Sequence, residues 1–330
     1  MARLNKILIL LAVFTLAACA PKMSPDPTTS LPPPPAAWLD QIKQQAIASG
    51  VSPATVHAAL DNFIPNPRVV ELDRKQPETT ITFAAYRHNT ISAARINKGA
   101  DLMRLYAPEL AAAEMRSGVP AQMIVALWGI ESSFGQNMGS FETVNSLATL
   151  AYEGRRADFF RSELIAALHI LDQEHMSSHD LRGSWAGAMG QCQFMPSTYL
   201  KYAVDGDGQG RRDIWTDPAD VIASIANYLA AEGWQRNIPW GREVNPGDAT
   251  SSDAGLTQSH SLAEWFAKGV TTLDGQPLPD EALQASLLQP DGDSGPSFLV
   301  TDNLRALMRW NRSTYFALSA GLLSDAVNQQ

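Results

Sequence analysis

The strongest constraint on the fold is a nearly unbroken apolar run that begins at Pro120 and ends in one carboxylate, Glu131. The run is long enough for about three helical turns, and proline suits the first turn because it has no N–H to leave unpaired. A helix this apolar is buried on most sides. A carboxylate at its end is half in an apolar environment, which raises its pKa and suits a general acid. The alternative is a helix end whose polar residues simply reach water.

The N-terminus combines two basic residues, an apolar run over 7–16 that is too short to span a bilayer, and small residues before Cys19. This pattern resembles the leader of bacterial lipoproteins. We therefore expect residues 1–18 to be a signal peptide and Cys19 to be acylated after cleavage. The alternative is an ordinary secretory signal with an incidental cysteine. Ala20 stands where an aspartate would resemble an inner-membrane retention signal, which favours the periplasmic face of the outer membrane.

Composition separates a tether from a folded domain. Residues 19–37 are rich in proline, serine and threonine, which predicts an extended tether before a domain over 38–330. Without residues 1–18, which hold two basic and no acidic residues, the formal charge changes from −9 to −11. This negative charge argues against nucleic-acid binding. Once Cys19 is acylated, Cys192 is the one remaining thiol, so we expect no intrachain disulfide.

The spacing of apolar residues predicts a mainly α-helical protein. Helical spacing occurs over 38–60, 102–115, 120–131, 159–173, 217–231 and 303–318. Ser52 and Pro53 mark a helix start inside the first of these stretches. Between 240 and 300, glycine, proline and serine separate short apolar runs, which predicts a smaller β-containing lobe. The chain has no Walker loop, GxSxG or HExxH motif, so the usual signals of nucleotide binding, serine hydrolysis and zinc proteolysis are missing.

A glycine-rich stretch over 183–199 supplies a second group of polar side chains. Three of its glycines fall within eight residues, so the backbone there can approach a ligand closely without an intervening Cβ. Ser184 and Gln193 can form hydrogen bonds with the hydroxyl and acetamido groups of a sugar. Glycine-rich stretches are also common as plain connections, so this one alone does not establish a binding site.

Glu131-Ser-Ser-Phe-Gly135, followed by Gly187-Ala-Met-Gly-Gln-Cys-Gln-Phe-Met-Pro-Ser197, resembles the membrane-bound lytic murein transglycosylase B family. Further motifs in the family's order are Asp73-Arg-Lys-Gln-Pro-Glu78, Ala148-Thr-Leu-Ala-Tyr152, Arg155-Arg-Ala-Asp-Phe-Phe160, Ile225-Ala-Asn-Tyr228 and Trp310-Asn-Arg-Ser313. The resemblance implies a lysozyme-like helical catalytic domain with a smaller lobe. It also implies cleavage of the bond between N-acetylmuramic acid and N-acetylglucosamine in peptidoglycan, leaving a 1,6-anhydromuramoyl end.

The same resemblance assigns roles to individual side chains. Glu131 would act first as acid and then as base, because a reaction that consumes no water needs no second carboxylate to activate one. The residues implied to line the substrate cleft are Tyr86, Ser184, Gln193, Tyr228, Trp310 and Asn311. Trp310 departs from the family, which often has tyrosine there. For each aromatic residue the alternative is packing in the core.

An acidic loop over 205–216 resembles an EF-hand calcium loop, with oxygen donors at loop positions 1, 3, 5 and 9 and glycine at position 6. Gln209 is neutral where aspartate is usual, and Thr216 replaces the closing glutamate. We therefore expect weak binding, with Asp217 or Asp220 in the closing role. The predicted ligands are Asp205, Asp207, Gln209, Arg211 through its backbone carbonyl, and Asp220. The alternative is a solvated acidic turn that caps the next helix. No cofactor is expected for catalysis.

Two residue patterns resemble functional sites but lack essential members. His175 and His179 have a spacing used in zinc sites, but the sequence offers no third ligand in a known frame. Cys192 lacks a histidine at a diagnostic spacing, which favours a small buried residue over a nucleophile.

Two other functions fit the family motifs. One is a hydrolysing lysozyme on the same fold, and the other is a non-catalytic, calcium-dependent peptidoglycan-binding scaffold lipoprotein. The expected partners are glycan strands and, through Cys19, a membrane. The sequence leaves open whether proteins of cell-wall synthesis or division are further partners.

Overall fold

The structure is a computed structural model that describes residues 31–75, 81–279 and 282–330. The predicted signal peptide over 1–18, the predicted lipidation site Cys19 and most of the tether lie outside the described residues. So does the end of the motif that starts at Asp73. The first helix begins at Ala36, two residues before the predicted start of the domain.

The prediction of a mainly α-helical protein is confirmed. Fourteen α-helices occur among the described residues: α1 Ala36–Ala48, α2 Pro53–Leu60, α3 Pro67–Arg74, α4 Phe83–Thr90, α5 Ala93–Leu105, α6 Ala107–Ser117, α7 Ala121–Ser132, α8 Thr143–Glu153, α9 Ala157–Gln173, α10 Pro196–Tyr202, α11 Pro218–Ala231, α12 Leu262–Ala267, α13 Asp302–Trp310 and α14 Thr314–Asn328. Within the described ranges, no helix has the length and hydropathy that a membrane crossing requires.

The predicted β-containing lobe is also confirmed. The strands are β1 Phe141–Glu142, β2 Arg182–Gly183, β3 Gly241–Asn245, β4 His260–Ser261, β5 Thr271–Thr272, β6 Gln284–Leu288 and β7 Ser297–Val300. Strands β3 to β7 form one antiparallel sheet in the order β4-β6-β7-β3-β5. This sheet has its own apolar core, in which Trp265 is fully buried and its indole N–H donates to the carbonyl of Ala285 over 2.9 Å.

The described residues form two compact units. One contains the described parts of Thr79–Ile130 and Ala226–Gln330, including the five-stranded sheet. The other contains those of Phe14–Glu78 and Glu131–Ile225, including α8, α9 and the antiparallel pair of β1 and β2. Each unit holds part of the predicted set of functional residues.

Helix ends follow the capping rules where the sequence signals them. Ser52 accepts a hydrogen bond from the Thr55 N–H and precedes Pro53 at the start of α2, as predicted. The predicted helix over 102–115 is wrong as one element, because it breaks at Tyr106. Pro108, in the first turn of α6, cannot donate a backbone hydrogen bond to α5.

The predicted helix over 303–318 is likewise two helices. It stops at Trp310, and Asn311 is extended, with φ of −139°. Ser313 then caps α14 by accepting a hydrogen bond from the Phe316 N–H. The apolar spacing continues across this break, which is why periodicity alone joined the two helices.

Candidate active site

Helix α7 carries Glu131 from the core to a half-buried position. The five residues from Met123 to Leu127 are each at most 1% exposed. Glu131 lies in the last turn and is partly accessible. At the other end, the Ala121 N–H donates to the Glu114 carboxylate over 3.1 Å and so satisfies one of the unpaired amides of the first turn. A buried, capped helix holds its terminal carboxylate in a fixed place.

The turn after Glu131 is conformationally strained. Ser133 and Phe134 have φ of 51° and 59°, and Gly135 continues the turn with 83°. Left-handed backbone is unfavourable for non-glycine residues, and such strain is concentrated at functional sites. Ser132 stabilises the turn: its Oγ accepts the Gly135 N–H over 2.9 Å.

The glycine-rich stretch packs against this turn at distances that exclude side chains. A Cβ placed on Gly139 would overlap the carbonyl of Gly183, and one on Gly183 would overlap the carbonyl of Ala188. A Cβ on Gly135 would lie 2.5 Å from Oε1 of Gln191. Gly135 and Gly139 are therefore required by the close approach of the glycine-rich stretch. Gly183, for which the sequence predicted close approach to a ligand, instead approaches the backbone of Ala188 within its own stretch.

Ser184 is buried at the centre of this stretch, at 7% exposure. Its Oγ accepts a hydrogen bond from the Ala188 N–H over 3.0 Å, and its own N–H donates to the Ala188 carbonyl over 2.7 Å. Because Oγ acts as an acceptor here, the hydroxyl keeps a proton that it can donate to a ligand. The surrounding backbone fixes the direction of that hydroxyl.

Gln193 is half-buried and also has left-handed backbone, with φ of 50°. Its Nε2 donates to the carbonyls of Gly190 and Met138 over 2.8 and 3.1 Å. Since an amide nitrogen has two protons, the group left for a ligand is the carbonyl oxygen, a hydrogen-bond acceptor. Ser184 and Gln193 thus offer a donor and an acceptor from one loop.

The other predicted cleft residues belong to the unit that contains the five-stranded sheet. Tyr228 is 8% exposed, and its hydroxyl donates to the Arg309 carbonyl over 2.8 Å. Its ring packs edge-on against Trp310, with ring centroids 4.7 Å apart. Tyr86 is 8% exposed and packs against Tyr315 at 5.9 Å. The buried tyrosines therefore have structural contacts, while Trp310 is the more accessible ring.

Asn311, the last predicted cleft residue, is half-buried. Its side-chain oxygen accepts a hydrogen bond from the Ser313 N–H over 3.0 Å. This contact is local and fixes the break between α13 and α14. Because this hydrogen bond holds the side-chain oxygen, it also sets the direction of the Asn311 amide nitrogen.

Cys192 is fully buried, as predicted, and its Sγ lies 3.8 Å from the Val221 carbonyl. Burial raises the pKa of this thiol well above its usual range, and the negative charges of Glu131 and Asp220 raise it further. Because the Glu131 charge contributes to the pKa of Cys192, the Glu131 carboxylate lies within electrostatic range of the glycine-rich stretch. A thiol with a raised pKa is neutral and a poor nucleophile.

The acidic loop brings three carboxylates together. Oxygen atoms of Asp205, Asp207 and Asp220 all lie within 4.8 Å of one another, and Asp220 is only 2% exposed. Burial raises the pKa of Asp220, and the nearby charges of Asp217 and Asp205 add to this effect. Asp217 is outside the cluster, so of the two residues predicted for the closing role it is Asp220 that lies beside Asp205 and Asp207.

The remaining predicted metal ligands are less well placed. The Gln209 amide nitrogen donates to the Asp207 carboxylate over 2.5 Å. The side-chain oxygen, which would be the metal ligand, therefore faces away from that carboxylate. Arg211 is exposed and its guanidinium lies 3.7 Å from Asp213. The loop backbone is ordered around Asp205, whose carboxylate accepts the N–H groups of Gly208, Gln209 and Gly210.

The two histidines do not form a metal site in the described part of the chain. The carboxylates of Asp205, Asp207 and Asp220 are the one group of at least three potential ligands found there. His179 instead lies 3.1 Å from the Glu142 carboxylate, and its ring also contacts Arg182.

Gln191 and Trp215 contribute to the site but were not predicted from the sequence. Gln191 stands between Gly190 and Cys192, and nothing in its type or spacing distinguishes it from a connecting residue. Trp215 lies at the end of the acidic loop and donates its indole N–H to the Arg182 carbonyl over 3.1 Å. Gln191 joins the acidic loop to the glycine-rich stretch, and Trp215 joins the loop to Arg182 just before that stretch. Only the tertiary structure shows these contacts.

Comparison with known proteins gives one consistent group of relatives. Residues 35–325 match the model of the transglycosylase SLT domain family. The membrane-bound lytic murein transglycosylase B of Escherichia coli strain K12 is 34% identical over 266 residues, which cover 78% of this chain and 72% of that protein.

Two solved structures are also similar. SltB3 from Pseudomonas aeruginosa, in complex with NAG-anhNAM-pentapeptide, has a TM-score of 0.85 and 45% identity, over 88% of this chain and 79% of that one. The Escherichia coli lytic transglycosylase Slt35, in complex with calcium, has a TM-score of 0.76 and 31% identity, over 88% of this chain and 92% of that one.

The burial of Cys192 leads to a prediction about its reactivity. In a Cys19→Ser variant, Cys192 is the one thiol of the chain. Because its raised pKa keeps the thiol protonated through the neutral range, we expect no labelling of the native protein by iodoacetamide there and complete labelling after unfolding in denaturant. Intact-mass spectrometry measures both. Labelling of the native protein at the rate of the unfolded chain would contradict this picture of the site.

Proposed function

The chain belongs to the transglycosylase SLT domain family, and from this premise we propose that it cleaves the MurNAc–GlcNAc bond without water, with Glu131 as acid and then base. The family match confirms the resemblance seen in the sequence motifs. The protein is thus a lytic murein transglycosylase, a lyase that acts on peptidoglycan. The bond cleaved, the anhydro product and the role of Glu131 are the parts we propose.

In the first step, protonated Glu131 gives its proton to the glycosidic oxygen as the bond from that oxygen to C1 of N-acetylmuramic acid breaks. Positive charge develops at C1, and the 2-acetamido group of the same sugar stabilises it. The leaving N-acetylglucosamine carries away the proton as a hydroxyl group. Glu131 is left as a carboxylate.

In the second step, the C6 hydroxyl of the muramoyl sugar attacks C1, and the Glu131 carboxylate removes the hydroxyl proton. A C1–O6 bond forms, the 1,6-anhydro ring closes and Glu131 regains its proton. The proton lost in the first step is recovered, so water is neither consumed nor released. One carboxylate is therefore sufficient.

The observation that carries this proposal is the position of Glu131. It is the half-buried end of a helix whose preceding residues are buried, and the residues directly after it form a strained turn. In its carboxylate form, Glu131 raises the pKa of Cys192, which lies inside the same loop that presents Ser184 and Gln193. The complex of the relative SltB3 with an anhydromuramoyl peptide supports the proposed product.

We assign Ser184 and Gln193 to the sugar's polar groups, because one retains a donor proton and the other an acceptor oxygen. We also propose contacts with the glycan from residues of the other compact unit: Tyr86, Tyr228, Trp310 and Asn311. The Tyr228 hydroxyl already donates to a backbone carbonyl, so its contribution would come from its ring and from holding Trp310. Aromatic rings suit the apolar faces of sugars.

We expect Glu131→Gln to lower kcat on isolated murein by about 10²- to 10⁴-fold, since the amide can neither give nor accept the proton. Glu71→Gln, a change on α3, is the matched control and should retain full activity. Turbidity clearance and chromatography of released muropeptides measure the rates. A Glu131→Gln protein that clears murein as fast as the unmodified enzyme would remove this residue from the mechanism.

The same digest separates the two other functions. Mass spectrometry should show 1,6-anhydromuramoyl ends. Reducing ends alone would identify a hydrolysing lysozyme on this fold. No soluble product from the unmodified protein, with retained binding to murein, would identify a scaffold.

We further propose that the acidic loop binds calcium. The donor set fits: three carboxylates converge, one of them buried, and hard oxygen ligands are those that calcium prefers. Asp205, Asp207 and Asp220 would hold the ion, with Gln209 and the Arg211 carbonyl as weaker candidates. Bound calcium would supply positive charge to the cluster and take no part in the reaction. The complex of the relative Slt35 with calcium supports this proposal.

Calcium should raise the melting temperature, because an ion that binds only the folded state stabilises it by mass action. We expect a rise of about 2–8 °C at millimolar calcium, reversed by chelator. Asp205→Asn should lose most of this rise, and Asp101→Asn, an exposed change elsewhere, should keep it. Differential scanning calorimetry measures the shifts. An unmodified protein that melts at the same temperature in calcium and in chelator would refute calcium binding.

Finally, we propose that acylated Cys19 anchors the protein at the periplasmic face of the outer membrane. The supporting observations are the leader sequence and the membrane-bound relative. Cys19→Ala should move the protein from the membrane fraction to the soluble fraction of cells, because the acyl chains supply the membrane affinity. Immunoblots of separated membranes measure the distribution, with Cys192→Ala as the control. A Cys19→Ala protein that stays in the outer membrane would exclude this anchor.

A further inference from the structure

Gln191 connects two parts of the site that the sequence treats separately. It is 7% exposed. Its backbone N–H donates to the Ile214 carbonyl over 2.8 Å, and its side-chain Nε2 donates to the Trp215 carbonyl over 2.9 Å. The first hydrogen bond fixes the backbone of Gln191, and the second fixes the orientation of its side-chain amide.

The other end of the same side chain lies against the turn after Glu131. A Cβ on Gly135 would lie 2.5 Å from Oε1 of Gln191 and 2.8 Å from its Cδ. The amide group therefore fills the space beside Gly135 that a side chain would need, four residues after Glu131. The turn here has left-handed backbone at Ser133 and Phe134 and needs external contacts to persist.

The segment that Gln191 contacts is itself well fixed. The Asp213 carboxylate accepts the N–H groups of Trp215 and Thr216 over 3.0 and 2.8 Å. The Asp213 N–H donates to the buried Asp220 carboxylate over 2.5 Å. Gln191 therefore has a rigid support, and that support includes a proposed calcium ligand.

We propose that Gln191 is a positioning residue for Glu131: it braces the strained turn against the Ile214–Trp215 backbone and so sets the direction of the Glu131 carboxylate. This inference rests on the proposed role of Glu131. It adds that the hydrogen bond from the Gln191 amide to the Trp215 carbonyl, and not the volume of the side chain alone, maintains the catalytic geometry. Under this proposal, calcium bound in the acidic loop affects the turn after Glu131 through contacts of Asp220, Asp213 and Trp215.

The first test compares Gln191→Met with the unmodified enzyme. Methionine keeps the length of the side chain but removes the amide. We expect kcat to fall roughly 10- to 100-fold, the cost of a misplaced catalytic group, with KM changed by less than about 2-fold. Gln136→Met, at an exposed position next to the same turn, is the control and should keep both constants. Unchanged kcat in Gln191→Met would overturn the proposal.

The second test measures the turn directly by hydrogen exchange. In Gln191→Met we expect faster amide exchange in fragments covering 131–137 and unchanged exchange in α8 and α9. Faster exchange throughout this unit, together with a large drop in melting temperature, would indicate a general structural role and overturn the proposal. Calcium should slow exchange over 131–137 in the unmodified enzyme and not in Gln191→Met. An effect of calcium that is equal in both would exclude the route through Gln191.

The outcomes separate this inference from the proposed function. A fully active Glu131→Gln enzyme removes the catalytic assignment, whatever Gln191 does. If Glu131→Gln is inactive and Gln191→Met is fully active, the catalytic role of Glu131 stands and the positioning role of Gln191 is rejected. Absence of calcium binding by calorimetry removes the route from the acidic loop, while the exchange of 131–137 without metal still decides the role of Gln191.

Discussion

The close approach of two backbone segments without intervening side chains is the constraint on which the site depends. The carbonyl of Gly183 occupies the space that a Cβ on Gly139 would need. Because the segments meet backbone to backbone, the turn after Glu131 and the loop that holds Ser184 are fixed relative to each other. A side chain at Gly139 would push the segment that follows Glu131 away from the loop that holds Ser184.

This arrangement explains why the site tolerates a strained turn. Left-handed backbone at two successive non-glycine residues, Ser133 and Phe134, is unfavourable by itself. Three features oppose its relaxation: the buried helix that precedes it, the Ser132 hydroxyl that accepts the Gly135 N–H, and the Gln191 amide beside Gly135. The surrounding fold therefore holds a geometry that the local sequence would not adopt alone.

The sequence predicted the elements that depend on local pattern. The apolar run before Glu131, the cap at Ser52 and the β-containing lobe all follow from spacing and turn chemistry. The breaks at Tyr106 and Asn311 were missed because apolar spacing continues across them, although Pro108 and Ser313 signal both. Site assignment needed the family motifs, since a buried helix ending in glutamate suits a plain core equally well. The brace by Gln191 could not be predicted, because its partners are more than twenty residues away in sequence.

The acidic loop adds an electrostatic constraint to these steric ones. Burial raises the pKa of Asp220, with further contributions from Asp217 and Asp205, so the folded state favours its protonated form more than the unfolded state does. A raised carboxyl pKa stabilises the fold at low pH, and this stabilisation is lost as the pH rises through the folded pKa. Ionisation of Asp220 in the folded protein therefore carries an energetic cost. A cation bound beside Asp220 would remove that cost. Because Asp220 also accepts the Asp213 N–H, the bound cation would also act on the segment that supports the turn after Glu131.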